Sequence, residues 1–164
     1  MPEVELKSDV GCDYTELERL LSEGKWKEAD QETARCMLQV AGEQEKGWLS
    51  DYNIDAFPCT DLHTINQLWV KYSHGKFGFS VQKEIYQSLG DTREYDEKIY
   101  KYEAFGNEVG WRQGGEWLYY SDLTFSLDTH YMGHLPYLDL GKWSGWASGR
   151  VYSFLVQRLV DCNI

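Results

Sequence analysis

The sequence predicts a mainly α-helical, single compact domain that carries one long loop and one short β-hairpin. Apolar residues recur at three- and four-residue spacing in several separate stretches, and glycine closes most of them. A chain of 164 residues with 42% hydrophobic content can bury one good core but not comfortably two.

Residues 1–11 show no structural period and are expected to form a disordered N-terminal tail before a domain over residues 12–164. They are too polar for a signal peptide and too acidic for a transit peptide. Asp13 with Glu16 reads as a capping-box start, after which Tyr14, Leu17, Leu20 and Leu21 share a helical face until Gly24. Lys25 to Ala41 should form a second helix with Trp26, Ala29, Thr33, Met37 and Val40 inward, and the short link implies an antiparallel pair. This opening resembles one tetratricopeptide-type helical hairpin, but no second copy follows at the required period, which argues against a solenoid.

Trp48 to Cys59 contains Asp-Tyr-Asn and a Phe-Pro step and reads as an ordered connection with one short helical turn. Thr60 is expected to cap a helix carrying Leu62, Ile65, Leu68, Trp69 and Tyr72. Ser80 should cap the next, with Val81, Ile85 and Leu89 inward. Glu94 to Phe105 reads as an amphipathic helix closed by Gly106, and Trp111 to Tyr120 as a hairpin around Gly114-Gly115. Asp128 to Ser148 has no stable period, so it reads as a long loop, mobile because Gly133, Gly141, Gly145 and Gly149 punctuate it. Val151, Phe154, Leu155 and Leu159 then mark a final helix over residues 148–162.

The formal net charge of -11 argues against nucleic acid as a partner, because phosphate contacts need a basic face and no basic run is visible. Charges interrupt every apolar run, so no transmembrane segment is expected, which leaves peripheral membrane association open. Cysteines at 12, 36, 59 and 162 form no CxxC pair or zinc spacing, a pattern that suits free thiols in a reducing compartment.

Catalytic constellations are wanting. Cys59 and His63 stand four apart, yet nucleophile and base are normally assembled from distant segments, and Cys59 reads more simply as a small buried residue. His63, His74, His130 and His134 spell no metal-ligand word, and a surface or capping role is the simpler reading of each. The carboxylate pairs are what 27 acidic residues produce on solvated faces. Aromatics, by contrast, exceed what a core of this size needs: seven Trp, twelve Tyr and six Phe. Trp69, Phe79, Trp111 and Phe154 read as core. Tyr52, Phe57, Tyr131, Tyr137, Trp143 and Trp146 fall on irregular segments, where gathered apolar groups mark a binding surface.

Particular words are more specific than composition. They are Phe57-Pro58-Cys59, Asp61-Leu62, Thr64-Ile65, Leu68-Trp69 and Phe77-Gly78-Phe79-Ser80-Val81-Gln82, then Val109-Gly110-Trp111-Arg112, Trp117-Leu118, Asp122-Leu123-Thr124-Phe125 and Gly133-His134-Leu135-Pro136. From about Asp13 to the C-terminus this order resembles the genomes-uncoupled-four family, tetrapyrrole-binding regulators of magnesium chelatase in oxygenic phototrophs. The resemblance implies a helical domain shaped like a cupped hand, with an apolar palm and a finger loop that closes over the ligand. Carried onto this chain, the palm includes Ile54, Phe57, Ile65 and Trp117. The finger, Gly133 to Trp146, contributes His134, Leu135, Tyr137, Lys142, Trp143 and Trp146, with Arg150 just beyond.

The implied ligand is protoporphyrin IX or magnesium-protoporphyrin IX, and the implied partner is the porphyrin-binding large subunit of magnesium chelatase in chlorophyll biosynthesis. The implied setting is cyanobacterial cytoplasm or plastid stroma. Such a ligand is a wide apolar plate with propionates on one edge; burying it is worth roughly 5 to 10 kcal/mol before association costs. Many relatives carry a helical bundle ahead of this domain, which is expected to stand alone here. Relatives also tend to have arginines in the finger, where this sequence offers Lys142, which neutralises a propionate without gripping it bidentately. A bilin or general tetrapyrrole carrier or sensor is the alternative reading, and a helical module with a peptide groove is the next; an enzyme comes last.

Overall fold

The computed structural model describes residues 3–90, 95–138 and 150–164. Among these, seven α-helices surround an aromatic-rich core: α1 (Thr15–Ser22), α2 (Trp26–Ala41), α3 (Asp51–Asp55), α4 (Cys59–Tyr72), α5 (Phe79–Ser88), α6 (Tyr95–Val109) and α7 (Arg150–Asp161). A two-stranded antiparallel hairpin, β1 (Arg112–Gln113) and β2 (Glu116–Trp117), and a 3-10 turn at Tyr120–Asp122 follow α6. No helix among the described residues is long and apolar enough to cross a membrane.

Helices α1 and α2 pack as the expected antiparallel pair, and α4 crosses them so that Trp69 donates from Nε1 to Thr33 Oγ1 at 2.9 Å. Trp26, Trp69 and Phe77 meet there with ring centroids 5.6 to 6.4 Å apart. The predicted capping box does not form. Asp13 Oδ1 instead accepts from the Thr15 backbone and hydroxyl, while Glu16 pairs with Arg19 at 2.6 Å. The segment expected to fray has no helix or strand, yet it is tied down. Buried Asp61 accepts from Ser8 Oγ (2.6 Å), the Asp9 backbone (3.0 Å) and Tyr14 Oη (2.6 Å), and Thr64 donates to the Lys7 carbonyl.

Other helix starts also shift for local reasons. Helix α4 begins at Cys59, not after Thr60, because Pro58 at φ -60 lacks an N–H and serves as the entry residue. Helix α5 begins at Phe79, and Ser80, expected as its cap, is itself served: its N–H donates to Asn66 Oδ1 of α4 at 2.8 Å. Gly78 permits that approach at φ +127, since a Cβ there would stand 2.8 Å from Val70 Cγ2. The deeply buried face of α5 is Phe79, Gln82 and Tyr86, with Val81, Ile85 and Leu89 only half-buried. Gln82 turns inward because loop carbonyls await it.

Helix α6 runs through Gly106 to Val109 and ends at Gly110 (φ +77), because Phe105 and Val109 continue its buried face. In the hairpin, Gly114 and Gly115 both take positive φ, as a two-residue turn requires. Two cysteines overturn the free-thiol expectation: Cys59 and Cys162, 5.3 Å apart at Cα, form a disulfide joining the start of α4 to the chain just after α7. Only Cys12 and Cys36 are free, and both are buried. The pairing depends on α7 docking against α3 and α5, which spacing does not encode.

Candidate functional site

The site is built on α6. Tyr102 and Phe105 stand one turn apart on its inner face and meet Tyr152 of α7 at 5.9 and 4.7 Å between centroids. Trp111, fully buried, sets its edge against Phe105 (5.4 Å) and Tyr137 (4.9 Å). Tyr137 continues to Tyr120 (5.9 Å), and Tyr120 to Phe125 (5.2 Å). The hairpin folds Trp117 back onto α6, where it stacks on Tyr102 at 4.8 Å with 22° between the rings. A continuous ladder of rings therefore runs from the hairpin to the loop before α7. Its outer members are open to solvent: Trp117 is 39% exposed, with Tyr120, Phe125 and Tyr137 half-buried.

Polar anchors hold this ladder in place. Asp30 on α2 is fully buried and accepts from Tyr120 Oη (2.6 Å) and from the backbone N–H groups of Tyr137 (2.7 Å) and Leu138 (3.1 Å). Gln82 donates to the Gly133 and Pro136 carbonyls and accepts from Tyr152 Oη at 3.0 Å. Trp111 Nε1 donates to the His134 carbonyl at 2.7 Å, and Lys76 Nζ donates to the Leu127 and Thr129 carbonyls. Burial pushes the Tyr102 and Tyr152 phenols well above their usual range, so both rings present neutral surface.

These anchors correct the expectation of a loop mobile from residue 128 onward. Residues 129–138 are pinned by buried hydrogen bonds, and Gly133 is wedged so that a Cβ would lie 3.1 Å from Ile85 Cδ1. The remainder of the expected finger, including Lys142, Trp143 and Trp146, lies outside the described residues. Leu138 and Arg150 bracket that stretch in the chain. Leu138 is held by Asp30, and Arg150 opens α7 two residues before Tyr152.

The predicted site residues separate into two groups. Trp117 and Tyr137 lie together on the ladder. Ile54, Phe57 and Ile65 are core residues with at most 1% exposure, and Leu135 is fully buried, so none of the four offers a surface to a ligand in this structure. His134 is also buried: Nδ1 donates to the Val109 carbonyl at 2.6 Å and Nε2 accepts from the Thr124 N–H at 3.0 Å. Both ring nitrogens are used, and burial lowers the imidazole pKa, so His134 is a structural brace for the loop. Among the described residues no group of three His, Cys, Asp or Glu is placed to hold a metal.

Sequence reasoning missed Tyr102 and Arg112. Arg112 is opposite Trp117 in the hairpin register, packed beside Asn107 and Glu103, and is a cation at the ladder's exposed end. Its place could have been found: a two-residue Gly-Gly turn makes Gln113 pair with Glu116 and hence Arg112 with Trp117.

A family model described as GUN4-like matches residues 7–154. The Ycf53-like protein of Synechocystis is 33% identical over 137 residues, which cover 82% of this chain and 54% of that protein. An Arabidopsis thaliana protein named tetrapyrrole-binding protein, chloroplastic, is 30% identical over 115 residues, 61% of this chain and 43% of that protein. The chain thus spans about half the length of the curated relatives it matches. The solved structure of GUN4 from Chlamydomonas reinhardtii superposes with a TM-score of 0.71 at 27% identity, covering 97% of this chain and 95% of that one.

Proposed function

This chain belongs to the GUN4-like family, and we propose that it is a non-enzymatic tetrapyrrole-binding protein that takes protoporphyrin IX or its magnesium derivative against the ring ladder of α6 and the hairpin. The observation that carries this reading is the half-exposed Trp117 stacked on Tyr102 at the open end of the ring ladder. A tetrapyrrole ring can cover such a pair by stacking. Its propionates would pair with Arg112 on the hairpin, and Lys142 and Arg150 are further candidates for the same role. Trp143 and Trp146 are candidates for further ring contacts, while Ile54, Phe57, Ile65, His134 and Leu135 act as buried scaffold.

In this reading the protein presents the pigment to the porphyrin-binding large subunit of magnesium chelatase and stimulates metal insertion, in cyanobacterial cytoplasm or plastid stroma. The name of the Arabidopsis relative supports the ligand class. The test is a titration of the purified chain with protoporphyrin IX, its magnesium form and a linear bilin, followed by tryptophan fluorescence and the Soret band. Cyclic ligands should quench tryptophan and shift the Soret band, and Trp117→Ala should weaken binding by about tenfold, about 1.4 kcal/mol. Unchanged spectra at saturation would sink the reading, and preference for the bilin would redirect it to a bilin carrier. Chelatase turnover with and without the protein tests the partner separately.

A further inference from the structure

The disulfide Cys59–Cys162 is outside the ring ladder, yet it is attached to the helix that supplies Tyr152 to that ladder. It spans 103 residues and ties the first turn of α4 to the end of α7. Helix α7 begins where residues 139–149 end and supplies Tyr152, whose ring contacts Tyr86, Tyr102, Phe105 and Trp111. Beyond the disulfide, the same end of α7 is held by His63 Nε2, which donates to the Cys162 carbonyl at 2.8 Å, and by Arg158 Nε, which donates to the Phe57 carbonyl at 2.9 Å. Those two hydrogen bonds do not depend on the S–S bond.

The two sulfurs differ in access. Cys59 is half-buried at the opening of α4, whereas Cys162 is 5% exposed, and the two free thiols, Cys12 and Cys36, are buried in another part of the core. We propose that Cys59–Cys162 is a thiol–disulfide exchange site for a dithiol reductant, and that its redox state sets how firmly α7 is docked. A thiolate of the reductant attacks Cys59 Sγ, the S–S bond breaks, and its electron pair leaves on Cys162 Sγ, which takes a proton. The second thiolate of the reductant then attacks its own sulfur in the mixed disulfide and releases Cys59 as a thiolate that is protonated in turn. The net result is two electrons and two protons passed to the pair, and one disulfide formed in the reductant.

This inference makes no use of the ligand, so it fails or survives apart from the tetrapyrrole reading. The test uses the wild-type chain in native buffer, alkylated and mass-mapped before and after dithiothreitol, with amide hydrogen exchange on both forms. Expected are protection of Cys59 and Cys162 before reduction, and labelling of Cys59 after it while Cys12 and Cys36 stay protected. Exchange in residues 150–161 should quicken at least tenfold, with residues 26–41 unchanged, and reoxidation should reverse it. Cys162→Ser should exchange like the reduced wild type. Labelling of Cys59 without reductant, opening only in denaturant, or equal exchange of α7 in both forms would overturn the proposal. So would equal quickening of α2.

Discussion

Trp117 lies over Tyr102 with 4.8 Å between ring centroids, and it can do so because Gly106, one turn further along α6, puts no side chain in its way. A Cβ at position 106 would stand 2.5 Å from Trp117 Cη2. Gly106→Ala should therefore displace the indole while barely changing stability. The gain of about 1 kcal/mol in helix propensity offsets the roughly 0.5–1.5 kcal/mol of lost stacking. The near-UV circular dichroism of the pair should fall and tetrapyrrole affinity should drop about tenfold; an unchanged near-UV spectrum would show that Trp117 does not rest there.

Arg112 and Trp117 face each other across the hairpin but should contribute in different ways. Arg112→Gln, like Lys142→Ala, should weaken porphyrin binding by less than about tenfold, and the difference should vanish at high salt, since exposed ion pairs are screened. Trp117→Ala should weaken binding equally at both ionic strengths. Titrations at low and high salt decide; a salt-dependent loss for Trp117→Ala would point to charge as the main determinant.

Asp30 gathers three donors at the point where the loop leaves the ladder: Tyr120 Oη and the N–H groups of Tyr137 and Leu138. Removing the carboxylate leaves buried N–H groups without a partner, which costs about 2–4 kcal/mol. Asp30→Ala should lower the urea midpoint accordingly and quicken exchange of the 137 and 138 amides first. Exchange of those amides at wild-type rates in the variant would refute the anchoring role.

His134 gives the fold a pH dependence whose sign follows from its burial. Its folded pKa lies below the ordinary value of 6.5, so the unfolded chain binds the proton more readily than the folded one. Well above that value both states hold a neutral imidazole and the group contributes nothing. As pH falls through about 6.5 the unfolded chain is protonated first, and stability is lost. The urea midpoint should fall between pH 7.5 and 5.5, and His134→Gln should flatten that change whatever its own stability. An equal slope in the variant would assign the effect elsewhere.

Helical periodicity alone located α1, α2, α4 and α7 to within a few residues, since each buries one stripe of Leu, Met or Trp at three- and four-residue spacing. The Gly114-Gly115 hairpin was equally legible, because a two-residue turn with positive φ leaves little other choice. The resemblance words led to the family over residues 7–154. They assigned Trp117 to the palm and Tyr137 to the finger, which the structure joins in one ring ladder, but they could not tell an exposed aliphatic residue from a core one. Ile54, Phe57 and Ile65 look the same in either role until the folded core buries them.

Tertiary structure decided everything that rests on partners distant in sequence. Asp30 reaches residues more than a hundred positions away, Gln82 reaches the loop at Gly133 and Pro136, and Cys59 reaches Cys162. A polar side chain in a helix carries the same local signal whether it faces water or a buried carbonyl. Only the packing of α7, the loop and α6 against one another removes the water, and that removal turns Asp30, Gln82 and His134 from solvated residues into the supports of the ring ladder.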